Sequence, residues 1–101
     1  MSNEPISTVL IVEDDPGVMR LQQVRLERAA YRCKVATTAA EALALVREGD
    51  VDLMLLDQNL PGGANGLDLY AQVKELGLDI PAILVTGFTG DAIVLQSFRA
   101  G

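Results

Sequence analysis

The chain has 101 residues, half of them apolar, with 8 basic and 14 acidic side chains and a formal net charge of −6. These figures fit one domain, residues 1–101, with a real core. They exclude a disordered chain and argue against a surface that grips nucleic acid, which needs dense Lys and Arg.

There is no histidine and only one cysteine, Cys33. His-based acid–base catalysis, a phosphohistidine donor role, His-ligated metals and an internal disulfide are therefore ruled out. No apolar run reaches the roughly 18 residues of a membrane span. The opening Met-Ser-Asn-Glu-Pro has no basic stretch leading into an apolar signal core, so a cytoplasmic location is expected.

In chain order, Ile6–Val12 is the first apolar run, and it predicts a strand. Asp15-Pro16 then reads as an N-cap followed by the first helical position, opening a helix to about Ala29. Tyr31–Thr37 mixes Val35 with Arg32, Cys33 and Lys34, the pattern of a charged edge strand. Thr38 with Glu41 forms a capping box. Ala39, Leu43 and Val46 then share one helical face, and Gly49 closes that helix. Val51–Leu56 is the third strand. Leu67–Leu76 is the third helix, with Leu69, Val73 and Leu76 on one face and Gly77 at its end. Ile80–Val85 is the fourth strand, and a fourth helix is expected from Thr89 or Gly90 into the last residues. Continuous apolar runs indicate strands covered on both faces, and strict alternation indicates right-handed βαβ units. The fold class is therefore α/β, a doubly wound parallel sheet.

The first strand runs into Glu13-Asp14-Asp15, the third into Asp57, and the fourth into Thr86-Gly87. Taken singly, each has an ordinary reading: helix capping for the acidic pair, loop entry for Asp57, a structural hydroxyl for Thr86. Together they fall at the carboxyl ends of parallel strands, where open α/β sheets bind ligands. Converging carboxylates repel unless a cation sits among them, and a hard ion such as Mg²⁺ suits oxygen ligands.

These stretches resemble the receiver domain of bacterial two-component response regulators. The resemblance is carried by Val9–Val12 with Glu13-Asp14-Asp15-Pro16, by Leu53–Leu56 with Asp57 and Leu60-Pro61-Gly62, and by Gly66-Leu67-Asp68-Leu69. Ile80-Pro81 with Ala82–Thr86-Gly87 and Phe98-Arg99-Ala100-Gly101 complete it. It implies a CheY-like, flavodoxin-like fold with strand order 2-1-3-4. It implies Asp57 as phospho-acceptor and Asp14 as a direct Mg²⁺ ligand, with Glu13 or Asp15 assisting and Glu13 favoured. Asn59 would offer its backbone carbonyl to the metal, and Thr86 would bind a phosphoryl oxygen as the switch.

The resemblance also implies a fifth strand carrying a Lys and an aromatic switch residue, then a fifth helix, all of which would lie past Gly101. Lys34 and Lys74 stand in the wrong elements to replace that Lys. Without a fifth strand, Ile80–Val85 is expected at the sheet edge with only Pro81 to guard it. Apolar surface around Val18, Leu21 and Val24 is expected to be exposed. Both predict self-association of these residues. The loop Gly62-Gly63-Ala64-Asn65-Gly66 is one residue longer than the common pattern, and Gly90 should loosen the fourth helix. Cys33 is read as packing or facing solvent on an edge strand, and Tyr31 and Tyr70 as packing residues.

The leading function is a phospho-accepting signalling switch fed by a histidine kinase or histidine phosphotransfer protein, with no direct nucleic-acid or membrane contact. It would not be an enzyme beyond its own phosphorylation and dephosphorylation. The alternatives are a receiver-like interaction module that takes no phosphate and a Mg²⁺-dependent phosphohydrolase. Asn59 argues against the last, because that reaction wants a second acid there.

Overall fold

The computed structural model describes residues 7–57, 66–86 and 91–95. Its elements are β1 (Thr8–Val12), α1 (Pro16–Arg28), β2 (Arg32–Ala36), α2 (Ala39–Glu48), β3 (Leu53–Asp57), α3 (Gly66–Glu75), β4 (Ala82–Thr86) and β5 (Asp91–Leu95). The strands form one sheet in the order β2-β1-β3-β4-β5. The first four are mutually parallel, so the doubly wound arrangement and the 2-1-3-4 order hold.

β1 is buried along its whole length, because it lies between β2 and β3 and is covered on both faces. Leu10 and Val12 point to one face and pack with Ala36, Met54, Leu56, Ala82 and Leu84 against Ala42 and Val46 of α2 and Leu69, Tyr70 and Val73 of α3. Val9 and Ile11 alternate to the other face and are equally buried. α1 packs on β1 and β2. The helices start where local chemistry dictates. Asp15 caps α1 by accepting from the N–H groups of Gly17 and Val18, at 2.9 and 3.2 Å. Thr38 Oγ1 accepts from Glu41 N–H at 3.2 Å. Glu41 reaches back to accept from the N–H and hydroxyl of Thr37, both at 2.8 Å. Gly49, at φ 95°, closes α2 in the left-handed region.

One expected element is corrected. Residues 91–95 do not begin a fourth helix; they form β5, antiparallel to β4, with Thr86 opposite Asp91 and Ala82 opposite Leu95. Four residues separate the two strands, a length that hairpins use often. The segment carries adjacent β-branched Ile93 and Val94, which favour strand over helix. An open edge on β4 would leave its outer backbone groups without ladder partners, and the hairpin supplies them. Ile80–Val85 is therefore not a sheet edge, and pairing with another chain through it has no free side to use. The exposure expected on the first helix is present: Val18 is 42% and Leu21 52% exposed, while Val24 is half-buried.

Cys33 is half-buried on the outer strand β2, its thiol 3.9 Å from the Gln23 carbonyl, and burial pushes its pKa up. Of the two placements expected for it, packing and exposure to solvent, it lies between them. The stretch Leu60–Asn65, Gly90, and Phe98 through Gly101 lie outside the described residues.

Candidate functional site

Parallel register aligns the strand ends. Val12 pairs with Leu56 and Asp57 with Val85, so Glu13 and Asp14 leave β1 beside the last residue of β3. Thr86 stands one step beyond the residue opposite Asp57. Glu13 N–H still donates to Ala36 O at 3.0 Å, which extends the β1–β2 ladder and turns the Glu13 side chain into the interior. Glu13 is 7% exposed, whereas Asp14 is exposed and Asp57 half-buried. Each of the three offers a carboxylate oxygen, and these oxygens lie within 4.8 Å of one another.

Of the six residues singled out in the sequence, the structure thus brings Glu13, Asp14 and Asp57 together. Asp15 is turned away to cap α1, and its N–H donates to Glu13 Oε1 at 3.1 Å. Thr86 ends β4 at the same sheet edge. Asn59 lies outside the described residues.

Burial removes water from Glu13 and pushes its pKa up from 4.5 to about 7. The Asp15 N–H opposes this, while the charge of Asp57, a hydrogen bond to the Asp57 side chain and the charge of Asp14 add to it. The cluster therefore carries less than its full formal charge near neutrality, because a buried carboxylate beside two others is costly to ionise. The sign of the linkage follows. A carboxyl whose pKa is raised by folding contributes most below its ordinary value and loses that contribution as pH rises through about 7. Denaturant titrations of the metal-free protein between about pH 5 and pH 8 should show this loss. Glu13→Gln, which cannot ionise, should flatten that part of the profile. An unchanged slope would place the titrating group elsewhere.

A family model described as the response regulator receiver domain matches residues 9–101. The phosphate regulon transcriptional regulatory protein PhoB of Pseudomonas aeruginosa is 35% identical over 96 residues, covering 93% of this chain and 42% of that protein. The sensor histidine kinase RcsC of Escherichia coli is 35% identical over 91 residues, covering 90% of this chain and 9% of the kinase. Among solved structures, the non-phosphorylated HemR receiver domain of Leptospira biflexa superposes with a TM-score of 0.73 at 38% identity, covering 84% of this chain and 68% of that one. A CheY-like receiver domain of Methanospirillum hungatei gives a TM-score of 0.76 at 31% identity, covering 83% and 66%. The chain spans about two-fifths of the length of the regulator PhoB that it matches. Among the described residues no helix is long and apolar enough to cross a membrane.

Proposed function

The chain belongs to the response regulator receiver domain family, and from that premise we propose that it is a phospho-accepting switch with Asp57 as the acceptor. The observation that carries this reading is the convergence of Glu13, Asp14 and Asp57 at the carboxyl edge of the sheet. A phosphohistidine of a histidine kinase or phosphotransfer protein is the donor. An Asp57 oxygen attacks phosphorus, the P–N bond breaks as the new P–O bond forms, and the donor imidazole keeps the electron pair and takes a proton. A carboxylate is a competent nucleophile for this step. Phosphoryl transfer asks the protein for in-line placement and charge neutralisation more than for covalent help.

The donor set fits a hard divalent cation. It offers only oxygens, it is anionic, and its buried member is held partly protonated by burial first and by the facing carboxylates second. Asp14 would hold Mg²⁺ directly, with Glu13 and Asp57 beside it. Asn59 is the fourth member that the family pattern assigns, through its backbone carbonyl. Asp15 is committed to the α1 cap, which favours Glu13 over Asp15 as the assisting acid. Bound there, Mg²⁺ supplies the positive charge that offsets the phosphoryl oxygens and the carboxylates. Thr86, the last residue of β4, would donate its hydroxyl to a phosphoryl oxygen, the role that the family pattern assigns to it.

Incubation with a small acyl phosphate and Mg²⁺, followed by intact mass, tests the reading. A stable gain that depends on Asp57 supports the switch. No gain supports an interaction module, and turnover without accumulation supports a phosphohydrolase. The metal assignment has its own test. Mg²⁺ should bind more tightly as pH rises, because the ligands must shed protons. Asp14→Asn should abolish Mg²⁺-dependent amide shifts around Asp57. Binding that is unchanged in that variant overturns the assignment.

A further inference from the structure

The first residue of α3 lies against the end of β3 with no room for a side chain. A Cβ built on Gly66 would collide with Leu84 Cδ1, would sit 2.7 Å from the carbonyl oxygen of Asp57, and would sit 3.2 Å from Leu56 Cβ. Real Cβ contacts essentially never fall under 3.0 Å. Gly66 is buried and helical and is not among the positive-φ glycines. Its requirement is therefore for space, unlike Gly49 and Gly77, which take φ of 95° and 80° with nothing within 4 Å of an added Cβ.

The two neighbours under 3.0 Å differ in kind. Leu84 Cδ1 is the tip of a side chain, and it can rotate or be trimmed. The Asp57 oxygen is backbone, belonging to a residue locked in register with Val85 of β4. It retreats only if the peptide that leaves Asp57 turns or the Asp57 Cα shifts, and either disturbs the backbone that carries the carboxylate.

We infer that Gly66 is a positioning residue for Asp57: its missing side chain lets the first turn of α3 close on the Asp57 carbonyl and sets where the Asp57 carboxylate stands. The inference rests on the reading of Asp57 as acceptor. Its claim is that the glycine serves the site through the backbone of β3, separately from its service to the core through Leu84.

The two services can be separated by comparing the parent, Gly66→Ala, Leu84→Val and the double variant. Valine has no Cδ, so the double variant relieves the collision with Leu84 and leaves the one with Asp57. Gly66→Ala should lower both the thermal midpoint and the rate at which Asp57 takes phosphate from a small acyl phosphate with Mg²⁺. In the double variant the midpoint should recover most of the way to that of Leu84→Val. The rate should stay about tenfold below it, since a displacement of some tenths of an ångström at a reacting group costs a substantial part of the hundredfold lost per ångström. The Asp57 backbone and side-chain carbonyl ¹³C shifts should differ between Leu84→Val and the double variant. Recovery of rate together with midpoint, or a Gly66→Ala chain that reacts at the parental rate, overturns the inference. A parent that takes no phosphate overturns the acceptor reading instead. The carbon shifts then still decide the positioning claim, and unchanged shifts in the double variant refute it.

Discussion

Asp57→Asn is expected to take up no detectable phosphoryl group under conditions that label the parent chain. The substitution keeps the shape of the side chain and removes the anionic nucleophile, and a neutral amide forms no acyl phosphate. The remaining members of the cluster are poor replacements. Glu13 is buried and partly protonated near neutrality, while Asp14 is exposed and assigned to the metal. The loss should not come from unfolding. The Asp57 charge is one of the forces that raise the Glu13 pKa, so neutralising it relieves repulsion inside a half-buried cluster. The variant should melt at or above the parental temperature, and the Glu13 pKa should move down toward its ordinary range. Intact mass, thermal melting and an NMR titration of Glu13 check the three parts. Equal phosphate uptake by variant and parent would show that another residue is the acceptor.

Leu10→Ala should cost about 2–5 kcal/mol, a large share of the roughly 5–15 kcal/mol that holds a typical domain. Leu10 is fully buried in β1, paired with Lys34 on one side and Met54 on the other. It belongs to the cluster that joins the sheet to α2 and α3. The cavity would open on the face that α2 and α3 cover, and how far those helices close on it sets the place within this range. Leu21→Ala is the contrast. Leu21 is 52% exposed on α1, a helix without a buried residue, and its loss should change stability by no more than about 0.5 kcal/mol. Urea titration of the two variants at one pH measures both. Similar midpoints would mean that the core is not organised around β1.

The fold up to β4 was legible because its signals are local and repeated. Short apolar runs such as Val9–Val12 name the buried strands, Asp15-Pro16 and Thr38 with Glu41 name the helix starts, and alternation leaves few topologies open. The acidic residues were legible for the same reason. Glu13, Asp14 and Asp57 each follow a strand directly, and parallel strands deliver their carboxyl ends to one edge. Three matters were decided only by the tertiary structure. Glu13 and Asp15 are chemically alike and two residues apart. The backbone direction at Val12 sends one into the interior and gives the other to the N–H groups of Gly17 and Val18. Residues 91–95 read as part of a fourth helix from spacing alone, but the unpaired side of β4 makes them a strand, because a ladder of backbone hydrogen bonds outweighs a weak local preference. Gly66 belongs to one of the motifs that carry the resemblance, but the motif does not say why a glycine stands there. Its importance lies in the distance to the Asp57 carbonyl, nine residues earlier in the chain, and only the packing of α3 on the end of β3 sets that distance.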